Sequence, residues 1–116
     1  MTDRELLELA AKAAGIEIVF GNYDQDCYAN ITEEQAKSFG NYETGFEWNP
    51  LTDDSDVFRL AVKLDIVFRV INGAAFAWRD GVCDIEEPCR ADPLAATRRA
   101  IVRAAAEIGK GMKNPS

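Results

Sequence analysis

The sequence predicts a single α+β domain in which helices pack against an antiparallel sheet of three or more strands. Three observations carry this expectation: capped amphipathic segments near the start and the middle of the chain, two glycine turns that fold residues 66–86 into a meander, and a long alanine-rich helix near the end. A chain of 116 residues supports one hydrophobic core and is too short for two, so one domain over 1–116 is expected. Hydrophobic residues make up 47% and charged residues 28%, which is the balance of a globular domain and not of a disordered one. The predicted order is α-(β)-α-β-β-β-α, a sandwich-like arrangement.

Thr2 followed by Glu5 has the spacing of a capping box, so the first helix starts there. Leu6, Leu9, Ala10 and Ala13 form its apolar stripe, and Gly15 supplies a left-handed stop. Ile16 to Phe20 reads as a short strand. Residues 21–45 mix turn formers with aromatic side chains and allow several layouts; Thr32 and Gln35 repeat the capping-box spacing and predict a short helix there. Pro50 disfavours helix before it, while Thr52, Asp53 and Asp54 offer caps and negative charge where a helix dipole attracts them. The second helix is expected to run to about Leu64 with Val57, Leu60, Ala61 and Leu64 buried and with Phe58 and Val62 widening that stripe.

Ile66 to Ile71 is apolar on both faces apart from Arg69, and Asn72-Gly73 is the strongest short hairpin signal in the chain. The next strand, about 74–79, is expected to bury Phe76 and Trp78, and Asp80-Gly81 turns the chain into a third strand over 82–86. Phe68, Val70, Phe76, Trp78, Leu60, Leu64 and Ile101 are the expected core. Asp92-Pro93 combines an N-cap with the residue suited to the first helical position, which starts a last helix over about 93–108. Leu94, Ile101, Ala105 and Ile108 should face the core, Gly109 and Gly111 should end the helix, and residues 112–116 form a frayed tail.

Twenty acidic residues against thirteen basic ones give a net charge of −7, which repels nucleic-acid phosphates and anionic membranes, so nucleic acid is disfavoured as a partner. No apolar run reaches the ~20 residues of a membrane span, and residues 1–5 lack the layout of a signal peptide, so a cytoplasmic location is expected. The chain has no histidine, which removes the usual general base and the commonest metal ligand. Cys27, Cys83 and Cys89 are odd in number and form no CxxC pair, so reduced thiols are expected and a disulfide framework or zinc site is not. With no histidine and acidic surroundings, Cys83 and Cys89 lack what activates a nucleophile. No catalytic residue, cofactor site or metal site is predicted.

Several clusters have both a functional and a structural reading. Residues 22–26 with Glu33 echo a calcium loop, but Cys27 stands where the turn needs glycine, and a solvated acidic turn is the preferred reading. Asp53, Asp54 and Asp56 suit a helix start better than a cation, and Asp84, Glu86 and Glu87 suit an edge strand that charge keeps from pairing with another. Trp48 reads as a core anchor or as a partner contact on its loop. Arg98, Arg99 and Arg103 give the last helix the basic face of the chain; they either pair with neighbouring carboxylates or bind an anionic partner.

The run Trp48-Asn49-Pro50-Leu51-Thr52-Asp53-Asp54, with Arg59 to Leu64, Asp92 to Ala106 and the opening Asp3 to Gly15, resembles the phage ABA sandwich domain family, small proteins of tailed phages and prophages. The resemblance implies a helix-and-sheet sandwich and a phage or prophage origin, and it brings no activity or site residues with it. The helix, three strands and helix from about 52 to 108 also follow the order of a double-stranded-RNA-binding domain. That class starts its final helix with lysines, whereas this one starts Asp92-Pro93-Leu94-Ala95-Ala96. The functional expectation is a non-enzymatic accessory protein that binds a host or phage protein, with Trp48, Arg98, Arg99 and Arg103 as candidate contacts. The alternative is a weak nucleic-acid binder using the arginine face.

Overall fold

The computed structural model describes residues 2–20, 27–29 and 48–112, with the backbone alone at 19, 20 and 27–29. The elements in chain order are α1 (Asp3–Ala14), β1 (Ile18–Phe20), β2 (Cys27–Ala29), α2 (Asp54–Lys63), β3 (Val67–Ile71), β4 (Ala74–Arg79), β5 (Cys83–Pro88) and α3 (Pro93–Gly111). The domain is α+β and sandwich-like. β1 and β2 pair antiparallel with each other, and β3, β4 and β5 form an antiparallel meander in that order. The expected helix near Thr32 and the calcium-like loop over 22–33 lie outside the described residues, as does most of the 21–45 segment.

Local chemistry sets the boundaries. The Thr2 hydroxyl accepts from the Glu5 amide at 3.1 Å, and Gly15 at φ 75° closes α1 while the Ile16 amide reaches back to the Ala11 carbonyl at 2.9 Å. Asp53 caps α2 through the Asp56 amide, and Asp92 caps α3 through the Ala95 amide, with Pro93 in the first turn. Asn72 and Gly73 both take positive φ, 51° and 76°, the geometry that lets a two-residue turn follow the twist of its strands.

α3 is the central element. It packs against β4, β5 and β3 on one side and against α1 and α2 elsewhere, so its burial exceeds a single stripe. Ala96, Ala100 and Ala104 form one buried line, Ile101, Ala105 and Ile108 a second, and Val102, Ala106 and Gly109 a third. α1 runs parallel to α3, as shown by pairing of Asp3 with Arg99 at one end and of Lys12 with the Met112 carbonyl at the other. Gly109, expected as a stop, lies inside α3: a β-carbon there would strike the Leu9 carbonyl oxygen of α1. Its role is close approach between helices.

The inner face of the sheet differs from expectation. Leu60, Leu64 and Ile101 are buried as predicted, but the β4 residues that meet the core are Ala75 and Ala77, while Phe76 and Trp78 alternate to the opposite face and are only half-buried. The physical reason is fit. An alanine-surfaced helix lies close to a sheet only where the facing side chains are also small. α3 spans β4 and β5 more than β3, so Phe68 and Val70, though on its side of the sheet, remain 42% and 51% exposed. Phe58 and Val62 of α2 and Leu94 of α3 are likewise exposed, against expectation, because no described element covers those faces. β5 reaches Pro88, two residues past the predicted end, and β2 lies in a segment read as turn.

Candidate protein-binding face of the sheet

The run from Trp48 to Asp56 is a built turn. Trp48 is 2% exposed and sits in the core, so of its two readings the anchor is the one observed. Asn49 folds the chain behind it: its side-chain carbonyl accepts from the Leu51 amide at 3.0 Å, and its backbone carbonyl accepts from Thr52 and Asp53. The carboxylate of buried Asp56 accepts from the Asn49 amide at 2.9 Å and ties α2 back onto the turn. Asp53 is the cap, and Asp54 pairs with Arg98. The three aspartates are thus engaged in structure, and no group of three metal-ligating side chains occurs among the described residues.

The arginine face is used internally as well. Arg98, with its side chain only 16% exposed, donates to the Leu51 carbonyl at 2.9 Å and to Asp54 at 2.7 Å. Arg99 pairs with Asp3 at 2.9 Å and approaches Glu87, while Arg103 pairs with Glu87 at 2.6 Å and donates to the Glu86 carbonyl. These contacts fasten α3 to the start of α1, to the turn before α2 and to β5. Of the two readings of Arg98, Arg99 and Arg103, ion pairing is the one the geometry displays.

On the other side of the sheet lies a face that no described element covers. Register places three rows across it, from β3 through β4 to β5: Val67, Trp78 and Asp84; Arg69, Phe76 and Glu86; Ile71, Ala74 and Pro88. Val67 and Ile71 are 49% and 38% exposed, Arg69, Asp84 and Glu86 are exposed, and Phe76 and Trp78 are half-buried. Arg69, Ile71, Phe76, Trp78 and Asp84 line a shallow depression of about 520 Å³. Half-buried aromatic side chains flanked by charged ones can exchange water for a partner's apolar groups and fix its orientation through the rim. Sequence reading missed this site because a strand apolar at every other position can point either way. The signal that resolves it is the matching alanines of β4 and α3.

Cys83 and Cys89 are free thiols, half-buried and buried. Burial pushes the Cys83 thiol above its ordinary value, with Glu107 and Asp84 adding to the rise and a backbone hydrogen bond from Arg79 opposing it. No helix among the described residues is long and apolar enough to cross a membrane. No family model, curated protein or solved structure matches the chain.

Proposed function

We propose that this protein is a non-enzymatic accessory protein of a phage or prophage that works by binding another protein, and that it does so through the outer face of the β3–β5 sheet. The observation that carries the reading is the placement of Phe76 and Trp78, with Val67 and Ile71, on a sheet face that no described element covers. An enzymatic reading finds little support: the chain has no histidine, and Cys83 is held as a neutral thiol by its surroundings. The nucleic-acid reading loses its cations to ion pairs on α3, and Asp84 and Glu86 on the sheet face oppose a phosphate chain.

Affinity capture from infected or lysogenic cells tests it, comparing the parent with Trp78→Ser, Ile71→Asp and an Arg99→Ala/Arg103→Ala double variant. A protein retained by the parent and the arginine variant but lost by both sheet variants supports the reading. Retention by the sheet variants with loss in the arginine variant overturns it. So does tight binding of random single- or double-stranded oligonucleotides at physiological salt.

A further inference from the structure

The outer face of the sheet carries its charges on opposite edges. In the middle row a cation, Arg69, stands on β3, an aromatic ring, Phe76, on β4, and a carboxylate, Glu86, on β5. Asp84 lies one row away on the same edge as Glu86, so the β5 edge is acidic and the β3 edge basic. A pattern of this kind is complementary to itself under one particular rotation. A two-fold axis lying in the face and parallel to β4 exchanges the two edges and leaves the rows in place. Arg69 then faces Glu86 of a second copy, Phe76 faces Phe76, Trp78 faces Trp78, Ile71 faces Pro88 and Asp84 faces Val67, so the charge match is carried by the middle row. A two-fold axis across the strands would instead stack Arg69 on Arg69 and Glu86 on Glu86, which like-charge repulsion disfavours.

From this self-complementarity we infer that the partner of the sheet face is a second copy of this chain, in an isologous dimer whose two sheets pack face to face about an axis parallel to β4. This assignment rests on the sheet face being the binding surface proposed above. Strands ~4.8 Å apart and five or six residues long give a face of roughly 500 Å² per copy once the rim side chains are counted, below the ~800 Å² per partner of a standard stable interface. The dimer is therefore weak and dissociates on dilution.

Charge exchange tests the geometry. Arg69 and Glu86 are both exposed, so Arg69→Glu and Glu86→Arg leave the fold intact, which unchanged melting temperatures verify. Analytical ultracentrifugation of the full chain over a range from a few micromolar to near-millimolar concentration should show the parent passing from monomer to dimer. Each single variant should associate at least tenfold more weakly. An equimolar mixture of the two should form a one-to-one heterodimer, and the double variant, with its edges exchanged, should self-associate again. A parent that stays monomeric throughout overturns the inference, as does a mixture of the single variants that fails to associate while the parent dimerises. Neither result bears on capture of a different protein by the same face, so failure of the dimer and failure of the binding face are separable.

Discussion

Replacing Gly109 by alanine sets two effects of opposite sign against each other. In an isolated helix the change is favourable by about 1 kcal/mol, because glycine loses more backbone freedom on ordering. In this protein the new β-carbon would press on the Leu9 carbonyl oxygen, lie 2.9 Å from its carbon and stand 3.4 Å from the Ala13 nitrogen. These are backbone atoms of α1, which no rotamer change can move. Relief requires α1 to withdraw from α3 along its length, and a gap of 0.5–1 Å forfeits about a quarter to a half of each dispersion contact it opens. Leu6, Leu7, Ala10 and Ala11 all lose contact at once. Overpacking typically costs about 1–3 kcal/mol, and the upper part of that range, or slightly beyond it, applies where the obstacle is backbone. After the propensity gain the net loss is about 1–2 kcal/mol, equivalent to a melting temperature lower by roughly 5–10 °C for a domain of this size. Thermal and urea unfolding followed by circular dichroism measure it. Gly111→Ala is the control, since a β-carbon there meets nothing and should leave stability equal or slightly higher. A Gly109→Ala protein that melts at or above the parent would refute the close-approach account.

Asp56→Ala leaves the Asn49 amide without its acceptor in a buried setting and should cost about 1–3 kcal/mol in urea unfolding, more than the roughly 1 kcal/mol of losing the Asp53 cap. Arg98→Ala should cost about 1–2 kcal/mol and keep most of that cost in high salt, because its half-sheltered side chain also holds the Leu51 carbonyl; Arg99→Ala should cost under about 1 kcal/mol and lose that in salt. Cys83, with its pKa raised in the folded state, stays a thiol at neutral pH and should react with iodoacetamide more slowly than a free cysteine. The raised value also means that its contribution to stability is complete below the ordinary cysteine pKa and is lost as pH rises through the folded one. Cys83→Ser should remove that part of the alkaline decline, as read from melting temperature against pH.

Features decided within a few residues of chain were legible in the sequence. Thr2, Gly15, Asp53, Asn72-Gly73 and Asp92-Pro93 each act on neighbours no more than about five positions away, and each does in the structure what its type predicts. Features decided by distant partners were not. Whether Phe76 or Ala77 faces inward depends on what α3 presents some twenty residues later, and alternation alone is symmetric between the two faces. Gly109 has the chemistry of a helix stop, and only the passage of Leu9 above it turns it into a packing residue. Leu94 fits the apolar period of α3, yet it lies before the stretch where α1 and the sheet converge. Among the candidate site residues, the burial of Trp48 and the ion pairs of Arg98, Arg99 and Arg103 depend on neighbours far away in sequence, which local spacing does not specify.

The two tryptophans of this chain occupy different environments, Trp48 sealed in the core and Trp78 half-buried on the face of β4 that no described element covers. They divide the intrinsic fluorescence into two independent channels. Trp48 should emit at short wavelength, resist acrylamide and shift red only on global unfolding. Trp78 should emit further to the red and account for most of the quenchable fraction. Anything that settles on the sheet, whether a second copy or another protein, should protect Trp78 from quencher while leaving Trp48 unchanged. A Trp78→Phe variant should therefore keep the unfolding signal and lose the binding one, so unlabelled protein reports on its stability and on the occupancy of its surface in the same cuvette.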